Sequence, residues 1–436
     1  MSDVVAQAVA RHGEGEMAEA AALFRAALDL QPANALVSHQ LGLMAFAQGD
    51  AALAASYLRQ AAASDPTDPE YQNNLGVVLR ATGDLTGARS AFQAALALDA
   101  DFAEAANNLG AAFEALGEDG PAINAYGRAL EIDPSYVDAR DNLLIICERV
   151  TPPWHFPMMA DATRNAAYDR ALRRAAPGKR VLDIGSGAGL LAMMAARAGA
   201  KQVATCEAVA PIAAAARDII AANGLSDRII VHAKRSNLLD ADRDLGGRAD
   251  VLVTEIFASG LLSEAVLPTI EHAHRRLLAP GATIIPHRAV ALGYLVGGDM
   301  VGALLHASAS AGFDLSRFDQ FAPVKVGLHL DQLSHEVMSE DFEIFSFDLT
   351  RSSFSPERRL LTVRATAAGR CFAVAQWLRL HLDSETTYEN RPHGMSGANC
   401  WMHVLYRLSH PLDLDVGQQV QLVCSHNRAA MTVAIA

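Results

Sequence analysis

Two glutamates nine residues apart, Glu255 and Glu264, stand in a loop that follows a short apolar stretch, Ala249 to Thr254. Upstream, Val181-Leu182-Asp183-Ile184 runs into Gly185-Ser186-Gly187-Ala188-Gly189 and then into the Ala-, Leu- and Met-rich run Leu190 to Ala198. That order reads as strand, tight turn and helix. Glycines there let the backbone approach a ligand where any Cβ would collide, and the helix start offers unpaired N–H groups. A second strand, Gln202 to Cys206, ends on Glu207, 22 residues after Gly185, close to the roughly 20 expected of a carboxylate that accepts from ribose hydroxyls. In an open α/β sheet, ligands bind beyond the carboxyl ends of the strands, which puts the loop with Glu255 and Glu264 beside that ligand. The pattern offers a nucleoside site with two carboxylates at its rim. The glycines alone also fit a dinucleotide, and either Glu alone is an ordinary solvated loop residue.

Asp183 lies two residues before the first glycine and the G-x-G-x-x-G spacing is absent; together these resemble the S-adenosyl-L-methionine (AdoMet) methyltransferase signature. After such a motif, Glu255 and Glu264 resemble the double-E hairpin of the protein arginine methyltransferase family. The run E-I-F-A-S-G-L-L-S-E, with L-P-T-I-E-H-A-H after it, is most similar to members lacking the common Trp-Met-Gly core, including symmetric and monomethylating types. The resemblance covers Trp154 to the C-terminus. It implies a seven-strand, Rossmann-like AdoMet-dependent methyltransferase domain followed by a β-barrel.

The resemblance also assigns roles. The family's M-x-x-D-x-x-R lid-helix pattern is matched by Met158, Asp161 and Arg164; it implies that Arg164 grips the methionyl carboxylate of AdoMet, with the guanidinium fork suited to that task. Met158 would abut the substrate guanidinium, His155 would contact the cofactor, and Asp161 would belong to a His–Asp proton relay. Asp183, Gly185, Gly187, Gly189 and Glu207 complete the implied cofactor site. Where many members carry a Glu for adenine, this chain has Ser236 and Asn237. Trp401 matches the Trp of the family's Thr-His-Trp and would wall the arginine site, but Cys400 replaces the His, leaving His393 and His403 as the nearby histidines. Glu255 and Glu264 would hold the guanidinium by charge-assisted hydrogen bonds and aim one nitrogen at the methyl group.

The elements around this stretch must deliver a substrate to it. Residues 1–150 hold 21 Asp and Glu against 8 Arg and no Lys, a balance of −13, whereas the remainder balances at 28 against 28. The same third repeats itself. Leu41, Leu75, Leu109 and Leu143 recur every 34 residues, as do Gly42, Gly76 and Gly110, the turn glycines Gly15, Gly49, Gly83 and Gly117, and the large residues Phe24, Leu58, Phe92 and Tyr126. That period resembles the tetratricopeptide (TPR) repeat, an α-solenoid in which small residues let helices approach and the large residue fills the space between successive pairs. About four repeats and a capping helix from Ser135 to Arg149 are expected. Asn74, Asn108 and Asn142 share one register and are candidates to hydrogen-bond an extended peptide in the groove. An acidic groove repels nucleic acid and attracts a basic, arginine-containing protein.

Thr151-Pro152-Pro153 breaks the helical pattern. From Thr283 eight alternating runs suggest an antiparallel barrel or sandwich, interrupted by a more helical stretch, 297–321, where the family inserts a dimerisation arm. The expected organisation is a multidomain chain: a TPR array over 1–150, an AdoMet-binding domain with its lid helix over 151–285, and a β-barrel substrate domain over 286–436. Five scattered cysteines without C-x-x-C spacing argue for reduced thiols, no metal site and a cytoplasmic location. No apolar run reaches the roughly 18 residues that span a membrane. The expected activity is methyl transfer to arginine of a basic protein, by a possible homodimer. The alternatives are a TPR scaffold with a vestigial, non-catalytic methyltransferase fold, or a small-molecule methyltransferase.

Overall fold

The computed structural model describes residues 2–307, 309–392 and 401–436. The chain forms two compact units, Met1–Thr151 and Pro152–Ala436.

The first unit is four helix pairs and a single final helix: α1 (Ser2–Gly13), α2 (Met17–Leu30), α3 (Ala35–Ala47), α4 (Ala51–Ser64), α5 (Pro69–Ala81), α6 (Leu85–Leu98), α7 (Ala103–Ala115), α8 (Asp119–Ile132) and α9 (Val137–Val150). The side chains of Asn34, Asp50, Asp68 and Asp84 accept backbone N–H groups at the starts of α3 to α6, satisfying donors that helix geometry leaves open. The turn glycines Gly15, Gly49, Gly83 and Gly117 take φ of 81°, 86°, 84° and 75°, the left-handed region in which a side chain is strained. The large residue at the 34-residue step packs against the facing glycine within its own pair and also joins the apolar clusters that run on into the next pair. A Cβ on Gly42 would lie 2.6 Å from Leu58, on Gly76 2.5 Å from Phe92, and on Gly110 2.5 Å from Tyr126. Glycine on one helix therefore makes room for the ring or branch on its partner. Gly76→Ala is expected to lower stability by about 1–3 kcal/mol through overpacking, whereas Gly127→Ala, with open space around its Cβ, should raise it by roughly 0.5–1 kcal/mol. Thermal melts of the two variants check the pair.

The second unit begins with α10 (His155–Ala160) and α11 (Ala162–Ala175), separated only by Asp161, which ends one helix and caps the next. A parallel sheet follows: β1 (Arg180–Ile184), α12 (Leu190–Arg197), β2 (Gln202–Glu207), α13 (Ala210–Ala222), β3 (Ile229–Ala233), α14 (Ala241–Leu245), β4 (Ala249–Thr254), α15 (Val266–Arg276) and β5 (Leu278–Ile285), in the order β3-β2-β1-β4-β5. Its central strands β1, β2 and β4 are buried, mostly apolar runs, as helices on both faces require. Among the described residues five strands, not seven, make up this sheet, because the chain leaves β5 for β6 (Arg288–Gly297) and enters an antiparallel layer.

That layer continues through α16 (Asp299–Leu305), β7 (Ala309–Ser310), β8 (Phe313–Asp314), β9 (Lys325–Leu328), β10 (Glu336–Val337), β11 (Phe342–Asp348), β12 (Glu357–Arg364), β13 (Gly369–His381), β14 (Thr387–Glu389), β15 (His403–Leu414), β16 (Gln419–His426) and β17 (Met431–Ile435). One sheet runs β10-β6-β13-β15-β9, with β11 also on β6 and β14 on β13; another is β12-β16-β17. The 297–321 stretch is α-helical only over α16, then forms the short β7–β8 pair around Gly312, φ 85°, and a 3-10 helix over Ser316–Phe321. The parallel sheet and the antiparallel strands bury one continuous core, from Leu182 and Val253 through Leu261 and Leu262 to Leu378 and Trp401. The loop with the two glutamates is thereby packed between both layers.

Candidate active site

The glycine turn sits at the carboxyl end of β1. Gly185, Gly187 and Gly189 take φ of 87°, 49° and 81°, and the Gly187 N–H donates to Glu207 Oε2 at 3.1 Å while the Val209 N–H donates to Oε1 at 3.0 Å. Beneath it Asp183 is fully buried and accepts from the Thr205 hydroxyl at 2.8 Å. Burial pushes the Asp183 carboxyl up to about 7, against the Thr205 hydrogen bond. Asp183 Oδ1 and Ser186 Oγ are buried and have no hydrogen-bond partner among the described residues, which leaves polar capacity for a ligand where the backbone is bare. Among the described residues a Cβ on Gly187 would meet only the His155 imidazole, at 3.8 Å. These groups fit a nucleoside-bearing cofactor resting on the turn under α10.

Asp161, Arg164 and Glu255 form the next layer. Asp161 Oδ1 accepts the Arg164 N–H at 2.9 Å as the cap of α11, and its Oδ2 accepts the Tyr388 hydroxyl at 2.6 Å. Arg164 donates to Glu255 Oε2 at 2.8 Å and to Asn165 Oδ1 at 2.6 Å, with its guanidinium 5.1 Å from the Tyr168 ring centre. Both side chains of this ion pair are 3% exposed. Burial raises the Glu255 carboxyl to about 7; Arg164 opposes the rise and the charge of Glu264 adds to it. Glu264 is at the mouth, exposed, and is also raised, first by its partial burial, with His155 opposing and Glu207 adding. Five carboxylates thus face one another across one Arg and one His, an arrangement short of positive charge and suited to cationic ligands. Trp401 closes the far side: its indole N–H donates to the Phe257 carbonyl at 2.6 Å and its ring lies 5.5 Å from Tyr388.

Both the repeat unit and the site-bearing unit have counterparts among known proteins. The family model for the tetratricopeptide repeat matches residues 5–69, 39–101 and 73–137, and that for ribosomal protein L11 methyltransferase (PrmA) matches 166–285. Over 296 residues, 66% of this chain and 80% of the relative, the sequence is 41% identical to the arginine N(omega)-methyltransferase of Streptomyces achromogenes subsp. streptozoticus. The chain belongs to the arginine methyltransferase family. Protein arginine N-methyltransferase 7 of Oryza sativa subsp. japonica is 37% identical over 252 residues, 53% of this chain, and the chain spans only 35% of that relative's length. Two solved structures share the fold: the Trypanosoma brucei PRMT1 enzyme-prozyme heterotetrameric complex with AdoHcy (TM-score 0.55, 21% identity, 64% of this chain and 90% of that one) and Arabidopsis thaliana protein arginine methyltransferase 10 (0.55, 19%, 66% and 93%).

In this methyltransferase the structure brings together His155, Asp161, Arg164, Asp183, the three glycines, Glu207, Glu255, Glu264 and Trp401. Met158 is half-buried against the core that runs beneath them. Asn237 does not join them. It is exposed and lines a surface cleft with Arg248, His272 and Arg276, because the chain after β3 turns down along α15; neighbouring Ser236 is half-buried at the start of that turn. His403 is no partner of Asp161 either. It is buried in β15, bonded to the Asn390 carbonyl at 2.8 Å and the Leu330 N–H at 3.1 Å. His393 and Cys400 lie outside the described residues. Sequence reasoning missed Tyr388 and Thr205, the first because it is 227 residues from Asp161 on a three-residue strand, too short for alternation to mark.

A guanidinium arriving beside Glu255 favours its charged form, so near pH 7 binding should release a proton. Arginine-substrate affinity is therefore expected to fall as pH drops below about 7. Titration calorimetry in buffers of different ionisation enthalpy reads the released proton directly; an identical heat in every buffer would contradict the assignment.

Proposed function

We propose that this chain transfers the methyl group of AdoMet to a guanidino nitrogen of arginine in a basic protein or peptide, and that the acidic repeat array recruits that substrate. The buried Arg164–Glu255 pair facing Glu264 carries the reading: two carboxylates and one cation are preset where a second cation has to enter.

When bound, AdoMet supplies an electrophilic methyl on a sulfonium. Asp183, Ser186, Glu207 and the glycine backbone bind its polar ends, His155 and Met158 cover it from α10, and Ser236 lies toward its base. Arg164, with five N–H donors, serves the cofactor carboxylate while still holding Glu255. Glu255 and Glu264 take the guanidinium, draw its charge away from one terminal nitrogen and fix that nitrogen in line for attack, a contribution of orientation and electrostatics. Trp401 walls the site. Asp161 is spent on the α11 cap and on Tyr388, so it positions Arg164 and relays no proton. The proton leaves after methylation, and no strong base is required.

The repeat unit supports recruitment by charge and by an amide ladder. Asn108 donates to Asn73 at 3.0 Å, Asn142 to Asn107 at 3.1 Å, and Asn74 bonds His39 at 2.8 Å. One N–H of each candidate is thus used between repeats, which holds the amide in place and leaves its other N–H and its oxygen for a peptide backbone. Replacing Asn74, Asn108 and Asn142 together by Ala is expected to raise KM for a long basic protein about 10-fold with little change for a short arginine peptide; equal effects on both would remove the groove from the account.

We also place the enzyme in the cytoplasm as a homodimer paired through 297–321, where Phe313, Phe318 and Phe321 are each about 70% exposed. No helix among the described residues is long and apolar enough to cross a membrane. A single monomeric species in sedimentation at micromolar concentration would refute the pairing.

A further inference from the structure

Among the polar side chains that the reaction does not use, Gln376 is one of the fully buried ones. It lies at the centre of β13, opposite Gly293 on β6 and Val404 on β15, with no exposed surface. A buried amide is costly unless both its ends are paired. Here both are: Nε2 donates to the Ser259 carbonyl at 3.1 Å, and Oε1 accepts the Tyr406 hydroxyl at 2.7 Å. Because the tyrosine hydroxyl engages the oxygen, the amide turns its N–H toward Ser259.

Ser259 lies between the two glutamates, on a loop without a strand partner of its own. The loop is tightened by the Leu261 N–H to the Ala258 carbonyl at 2.7 Å. It also holds two non-glycine residues in the left-handed region, Leu261 at φ 63° and Ala265 at φ 56°, on either side of Glu264. Such conformations persist only where surrounding contacts over-determine them. The antiparallel layer provides two: Trp401 on the Phe257 carbonyl and Gln376 on that of Ser259.

We propose that Gln376, oriented by Tyr406, is a positioning residue that holds the strained loop by its Ser259 carbonyl and so presents Glu264 to the arginine. This rests on the function proposed above.

The test is the double variant Gln376→Leu/Tyr406→Phe in the full chain, which removes the amide together with its tyrosine partner, so that neither side chain strands the other and only the Ser259 carbonyl loses its donor. The expected result is AdoMet affinity and melting temperature close to wild type, with kcat on an arginine peptide lowered about 100-fold by the misplaced carboxylate. Gln376→Glu supplies a readout that a merely structural role would not move. The introduced carboxyl, while protonated, donates to Ser259 and accepts from Tyr406 as the amide does, whereas its ionised form repels the carbonyl. The ratio of its activity to wild type should therefore fall as pH rises. A double variant within 2-fold of wild type, or a ratio flat with pH, overturns the inference while the methyltransferase reading stands. A wild-type chain that methylates no arginine overturns both.

Discussion

Glu255→Gln is expected to lower methyl transfer to an arginine peptide by about 1000-fold, the scale seen when one preset electrostatic group is removed from a closed site, while AdoMet binding stays within a few-fold. The substitution keeps an oxygen for Arg164 at nearly the same place, so the α11 side of the cofactor site is preserved. What it removes is the charge that localises the positive charge of the guanidinium. Loss of cofactor binding in parallel with activity would mean that Glu255 serves the cofactor and not the arginine. A thermal melt separates this from misfolding.

Arg164→Ala should have the second largest effect, and on the other partner: AdoMet binding weakened about 100-fold, near 3 kcal/mol. The fold also loses stability, by about 3–5 kcal/mol, because Glu255 is left buried without its cation. The pH dependence has a definite sign. Glu255 already sits at about 7 in the folded chain, against its ordinary value near 4.5, and loses the group that held it down. A carboxyl raised on folding contributes stability that is complete at low pH and lost as pH rises through its folded value. The variant should thus be least deficient in acid and most deficient above pH 7. A deficit that is constant with pH would show that Arg164 acts on the fold by packing alone.

How much of this is legible in the chain depends on range. The 34-residue step, the glycine turn after β1 and the alternation of β16 and β17 are local patterns, and helix capping, left-handed glycines and strand pleating turn them directly into structure. The spacing of Glu255 and Glu264 suggests two carboxylates at the rim; the structure leaves Glu264 at the mouth but buries Glu255. What spacing does not carry is which groups meet across the two layers. Asp161, expected as half of a proton relay with a histidine, is bonded to Tyr388, and Arg164 holds Glu255 as well as facing the cofactor site. Counting from β3 puts Asn237 on the adenine, but the chain turns along α15 just before it. The period of the array puts its large residues between repeats; the backbone at Gly42, Gly76 and Gly110 adds that they also fill space within one. Each miss concerns a contact between residues far apart in sequence, or a turn direction that residue identity alone does not set.

The most direct test of the central claim is the site of the transferred label. The full chain is incubated with methyl-labelled AdoMet and an arginine-rich peptide library that also contains lysine and acidic residues, and the products are fragmented in a mass spectrometer. The account predicts label on arginine guanidino nitrogens alone, and none when Glu255→Gln replaces the wild type. Label on lysine or on carboxylates, or an unmodified library despite tight AdoMet binding, would contradict it.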